Sequence, residues 1–221
     1  FKDDDPKINQ TISVIFINHE KTKEGIKKSR RLFTVLNNEA VKVAKLDIIY
    51  LNEDDLAAII TRRFLEEKDG MFSNTKVEKI LPSPSNNIGQ KIQTPFTTVN
   101  ALYESIKLML RLIIYGNGRD SEKKIKYYFS NFQNSEQDIE IYFQKTKDFF
   151  IELSNNIEPI KEYVEISNSN NQVKIEGFVQ KYRNRDTGGH LLFRPAGLVK
   201  ITELCCKQYS RAKIKKYNQD L

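Results

Sequence analysis

Histidine and cysteine are the side chains most often recruited for nucleophilic, acid–base and metal chemistry, and this sequence of 221 residues holds only two of each. His19 follows a strand-like run and reads as a turn or surface residue. His190, after Gly188-Gly189 and before Leu191, reads as a structural histidine bonded to backbone, one of the two roles imidazole fills with ease. Cys205 and Cys206 are neighbours on an apolar helical stripe and read as packing residues, since a reactive thiol needs an activating neighbour. Adjacent cysteines cannot staple a fold, and a reduced, cytoplasmic setting is expected. The acidic run Asp3-Asp4-Asp5 does not make a cation site, because consecutive side chains diverge and hard cations need several converging oxygens. No Ser-His-Asp, Cys-His, HExxH or Walker A spacing is present, so no catalytic residue, metal or cofactor is evident, and whether the chain is an enzyme stays open.

The chemistry that the residues do suggest is contact with phosphate. Net charge is +7, and the halves of the chain do not share it equally. Residues 1–70 carry 13 basic and 13 acidic side chains and residues 71–170 carry 12 of each, whereas residues 171–221 carry 11 basic against 4 acidic. A solvated surface is the ordinary reading of such charge. Its confinement to one segment favours a surface facing a polyanion, for which clustered Lys and Arg are the footprint. The candidates are Lys181, Arg183 and Arg185 in a glycine-ended basic loop, then Arg194, then Arg211, Lys213, Lys215 and Lys216 in the tail. The loop glycines Gly188 and Gly189 would permit close approach of backbone to a phosphate. The rival cluster is Lys27, Lys28, Arg30 and Arg31.

These residues need elements to hold them. Thr11 to Asn18 is a β-branched apolar run of strand length. Glu20 to Asn38 predicts a helix with Ile26, Phe33, Leu36 and Ala40 on a buried face, ended by Asn37-Asn38. Val41 to Leu51 reads as a short extended piece. Asn52 then caps a helix to Phe64 with Leu56, Ile59, Ile60 and Phe64 buried, and Arg62 and Arg63 suit its C-terminal pole. Residues 69–93 read as a loop or hinge, with brief extended pieces near Val77 to Leu81 and Lys91 to Gln93. Thr94-Pro95 predicts the start of a central core helix that stops at Tyr115-Gly116. Further helices are expected over Ser121 to Phe132 and Ser135 to Leu153, with a break near Pro159. Their aromatics, at helical spacing, read as core and not as base-stacking platforms. Ser167 to Gln172 is a polar boundary, and Val173 to Val179 reads as strand or helix. Leu191 to Phe193 should bury, and Pro195 should start a last helix through Leu198, Ile201, Leu204, Cys205 and Tyr209. Hydrophobic residues make up 39% of the chain and no run of them reaches the roughly 20 residues of a membrane helix.

The stretch from Arg30 to Arg62, RRLFTVLNNEAVKVAKLDIIYLNEDDLAAIITR, together with Gly188 to Gly197, GGHLLFRPAG, and the run TISVIFIN, resembles the DGQHR-domain family typified by DndB proteins. The pentapeptide that names the family has no counterpart here, and the resemblance implies that the chain begins just downstream of it. It further implies a ParB/sulfiredoxin-like α/β element and a role in regulating DNA sulfur-modification genes by binding DNA. The positions matching the family framework are Arg31, Phe33, Asn37, Asp47, Asp55, Thr61 and Arg62, with Gly188, Gly189 and Arg194 in the late block.

The expectation is therefore a mainly α protein with a minor β component, a helical bundle attached to part of a ParB-like element. Residues 1–68 would be the remainder of that element, 69–93 a hinge, 94–166 the bundle, and 167–221 a basic segment packed on it. The expected function is DNA binding in a sulfur-modification or related defence system, with no membrane association. The alternatives are an NTP-dependent enzyme, an NTPase or nuclease, whose motif lies upstream, and an assembly module for partner proteins.

Overall fold

The computed structural model describes residues 20–40, 45–67, 71–72, 78–85, 88, 94–116, 123–125, 135–169, 171–184, 189–193 and 196–219. Among these the chain is mainly helical, with one small parallel sheet. The strand expected at Thr11 to Asn18, His19 and the acidic run at Asp3 lie outside the described residues, as does most of the helix expected over 121–132.

Helix α1 (Lys23–Ala40) runs through Asn37-Asn38, where the sequence predicted its end. Its expected buried face is turned outward: Ile26 is 38% exposed, Phe33 53% and Leu36 45%. The reason is polar. Arg30 and Arg31 reach Glu53 and Asp54, and the Thr34 hydroxyl donates to the Leu51 carbonyl, so the arginine edge of α1 faces the following turn. Residues 45–51 form helix α2 (Lys45–Leu51) in place of the expected extended piece. Of its apolar residues Ile49 is the one fully buried, as suits a helix that presents one edge to the core.

Helix α3 (Leu56–Glu66) buries Leu56, Ile59, Ile60 and Phe64 as expected, and Ala57, Ala58 and Thr61 besides. Its cap is Asp55, not Asn52: Asp55 Oδ1 accepts from the Ala57 and Ala58 amides at 2.8 and 3.1 Å. Asn52 instead turns the chain locally, accepting from the Asp54 amide at 2.8 Å, while its own amide closes α2 on the Ile48 carbonyl.

Strands β1 (Ile80–Leu81) and β2 (Thr97–Thr98) pair in parallel, Ile80 with Thr97 and Leu81 with Thr98. This pairing holds the chain extended past Pro95, so helix α4 (Val99–Tyr115) starts later than the Thr94-Pro95 signal predicted, with the Thr98 hydroxyl as cap. It stops at Gly116, whose φ of 65° lies in the region that favours glycine. Helix α5 (Glu136–Asn156) opens with a capping box between Ser135 and Asp138. Helix α6 (Glu158–Asn168) follows a one-residue break at Ile157, and helix α7 (Gln172–Arg183) resolves the open strand-or-helix reading. After a 3₁₀ turn (Leu191–Phe193), helix α8 runs from Gly197 to Gln219, two residues later than Pro195 predicted.

One contiguous core runs from Ile49 to Cys206 and joins all the divisions drawn from the sequence. Two aromatic groups anchor it. Phe64 meets Phe72, Phe143 and Phe150 at centroid distances of 5.8, 5.0 and 5.5 Å, tying α3 to α5. Phe96, Tyr163, Phe178 and Phe193 form the second, tying the C-terminal segment to the bundle. Leu192 and Phe193 bury as expected; Leu191 is 81% exposed, because a single 3₁₀ turn presents only part of its circumference to the core. Leu198 buries as expected on the last helix, whereas Leu204 and Tyr209 are exposed and α8 turns Thr202 and Cys206 inward instead. Among the described residues no helix is long and apolar enough to cross a membrane.

Ile60 is fully buried between these groups, so Ile60→Ala should lower unfolding free energy by about 2–5 kcal/mol in urea titrations. A loss well under about 1 kcal/mol would mean the site can collapse around the missing atoms and that α3 is not the close-packed centre.

Candidate nucleic-acid interface

Most cations of the N-terminal cluster are engaged by the protein's own carboxylates. Glu53 lies between two arginines, with Arg30 at 2.9 Å and Arg62 at 3.1 Å. Arg62 also donates to the Ile49 and Asn52 carbonyls at 2.7 and 3.0 Å, so it caps the C-terminus of α2 from the side of α3. Burial lowers its pKa, and the negative charge of Glu53 opposes that shift. Arg31 pairs with Asp54 at 2.7 Å and Lys27 approaches Glu136 at 3.9 Å. Lys28 is exposed.

Four of the framework positions meet at this junction. Beside the Arg62 and Arg31 pairs stands Asp55, whose second oxygen accepts from the Tyr103 hydroxyl of α4 at 2.6 Å. Burial pushes the Asp55 carboxyl above its ordinary value, against the hydrogen bonds from Tyr103 and the two amides and the charge of Lys107. The phenol is pushed far up in turn, by burial and by the Asp55 charge, so it stays a donor. Thr61 is fully buried and returns its hydroxyl to the Ala57 carbonyl at 2.6 Å. Phe33 and Asp47, by contrast, are exposed and stand apart from the cluster, and the Asn37 side chain lies outside the described residues. Most of the arrangement is satisfied internally and orients helices, and the Arg31 Nε is the atom in it that is buried with no hydrogen-bond partner.

The C-terminal segment is arranged differently. Lys181 is exposed in the last turn of α7, over the Tyr182 ring at 5.1 Å. Arg183 is not on a loop as expected: it belongs to the same turn, and its guanidinium reaches inward to the Pro95 carbonyl. Burial lowers its pKa to about 10, partly offset by Tyr163. An arginine so placed holds α7 against the approach to β2, which removes it from the solvent-facing set. Arg185, Gly188 and Arg194 lie outside the described residues.

Gly189 has φ of 54°, and a Cβ there would stand 2.5 Å from the Tyr182 carbonyl oxygen. The close approach it permits is to the end of the preceding helix α7, in place of the phosphate that the sequence suggests. His190 behaves as the structural residue expected, its amide donating to the Tyr182 carbonyl at 2.9 Å and its Nδ1 accepting from the Leu192 amide at 3.2 Å.

Arg211, Lys213, Lys215 and Lys216 fall in the last turns of α8. Upstream, Glu203 sits between Lys200 at 3.0 Å and Lys207 at 2.6 Å, which hold its carboxyl down to about 2. Sequence reasoning missed the inward turn of Arg183, for which the only signal was its place one turn after the buried Phe178-Val179 pair. Among the described residues no group of three His, Cys, Asp or Glu is placed to hold a metal ion.

The chain has no significant match among protein-family models, curated proteins or solved structures.

Adjacent Arg62 and Arg63 supply a direct check on this assignment. Side-chain exposure is 11% at Arg62 and 27% at Arg63, which pairs with Glu136 and Glu140 at the surface. Arg62→Met leaves Glu53 and two carbonyls short of donors and should cost about 3–5 kcal/mol in urea unfolding. Arg63→Met should cost under about 1 kcal/mol. Equal losses would contradict the structural role given to Arg62.

Proposed function

We propose that this protein is a DNA-binding regulator that contacts duplex phosphates through its C-terminal segment, above all through α8. The observation that carries the reading is the division of charge. The arginines of α1 are held by Glu53 and Asp54, while residues 171–221 have 11 cations against 4 anions and one of those anions already serves Lys200 and Lys207. Lys and Arg clustered along a helix are the usual electrostatic footprint of phosphate contact. The setting we infer, regulation within a DNA sulfur-modification or related defence system, rests on the resemblance of Arg30–Arg62 and Gly188–Gly197 to DndB-like proteins. The ParB-like α/β element belongs to the same inference.

Cations at a helix C-terminus also suit the helix dipole, which would give the cluster a purely structural role. Salt dependence separates the two. Each neutralised phosphate releases counterions, and log affinity falls with log salt at a slope of about −0.9 per contact. Replacing Arg211, Lys213, Lys215 and Lys216 by Gln should flatten the slope by roughly three to four units if all four touch phosphate. A Lys27→Gln/Lys28→Gln control should leave it unchanged. The readout is fluorescence anisotropy of one labelled duplex across a salt series. An unchanged slope in the fourfold variant would remove α8 from the interface, and absence of binding at low salt would favour the assembly-module reading.

A further inference from the structure

Helices α4, α5 and α8 line a half-open cavity of about 510 Å³ that none of the charge chemistry above uses. Each helix lines it with residues at helical spacing. From α4 come Met109, Leu112 and Ile113; Phe149 of α5 closes a second side. On α8 the wall is Cys205 and Cys206, with Tyr209 one turn further on. The volume lies within the roughly 300–1,000 Å³ of small-molecule sites, and an apolar wall with few polar groups is their usual character. Burial pushes the Cys206 thiol up to about 11, so at neutral pH it is a protonated, apolar part of the wall and not a nucleophile.

The polar groups that line this cavity are one cation, one phenol and two thiols. Lys145 lines it from α5, is exposed, and has no carboxylate partner among the described residues, unlike Lys147 two residues on, which pairs with Glu67. Arg111 of α4 is near enough for its charge to act on the Cys206 thiol, and its Nε is buried with no hydrogen-bond partner. A buried donor without an acceptor is costly, and such groups in folded proteins call for an explanation. Among the described residues no carboxylate lines the cavity.

We propose that this cavity binds an amphipathic monoanion, such as a medium-chain carboxylate, with its chain among Met109, Ile113 and Phe149 and its head towards Lys145. The apolar wall disfavours a compact, fully charged metabolite, since charge buried there would lose its water. The unpaired cation at the rim discriminates against a neutral or cationic amphiphile. The site is independent of the DNA reading: it stands on the bundle whether or not α8 contacts phosphate.

The test uses the full chain with decanoate below its micelle concentration, decanol as the neutral twin, and titration calorimetry. Decanoate should bind saturably at one site, and Lys145→Gln should weaken it roughly three- to tenfold while leaving decanol unaffected, in line with loss of a solvent-exposed charge contact. Ile113→Trp, which fills the cavity, should abolish binding of both. Because that variant risks misfolding, the second measurement is made on the unaltered protein: decanoate should slow alkylation of Cys205 by N-ethylmaleimide, and acetate should not. Failure of decanoate to saturate, equal affinity for decanoate in the Lys145→Gln variant, or unchanged alkylation with decanoate bound would each overturn the proposal.

Discussion

A guanidinium that has lost most of its water is tolerated only where surrounding acceptors replace that water, and Arg62 meets this condition with three partners at once. Two are carbonyls at the end of α2 and the third is Glu53, which Arg30 of α1 also holds. The pair costs desolvation, so its contribution to net stability is modest; what it contributes is geometry. Take it away and Glu53 remains buried without its inner partner, and the turn Asn52–Asp55 loses the contact that sets the angle between α2 and α3. That turn in turn fixes Asp55, whose two oxygens cap α3 and receive Tyr103 of α4. Four helices thus depend on one short acidic turn and the arginine that reads it.

The rest of the bundle is held by apolar contact. Phe64 carries α3 into the ring cluster with Phe72, Phe143 and Phe150, mostly in the edge-to-face arrangement that aromatic rings favour. The C-terminal segment is attached by a separate set of rings around Phe193 and by Arg183 on the Pro95 carbonyl. Cations are therefore placed in two ways in this protein. Arg30, Arg31, Arg62 and Arg183 are consumed by the fold, whereas the basic end of α8 lies beyond the residues that anchor the helix to the core, Leu198, Thr202 and Cys206.

Local signals were legible in the sequence where a single element decided the outcome. The stripe Leu56, Ile59, Ile60 and Phe64 is buried as its spacing predicts, Ser135 caps α5, and Gly116 ends α4. Where a distant partner decides, the sequence misleads. Asn52, Asp54 and Asp55 are all residue types that cap helices, and the contact with the distant Tyr103 singles out Asp55. Thr94-Pro95 has the chemistry of a helix start, yet pairing of Thr97-Thr98 with Ile80-Leu81 keeps the chain extended for four residues more. The apolar face of α1 has helical spacing, but ion pairs on its polar edge determine which way it points. Arg183 has the sequence context of a surface loop, and the Pro95 carbonyl that turns it inward is 88 residues away.

On the function proposed above, the arginines of α1 serve the fold and the basic end of α8 meets the polyanion. Lysine footprinting by reductive methylation, read by mass spectrometry with and without a DNA duplex, tests this at individual side chains. The account predicts that duplex protects Lys213, Lys215 and Lys216 while Lys23, Lys27 and Lys28 react at the same rate in both samples. Protection at Lys23, Lys27 and Lys28 with none at the end of α8 would contradict it.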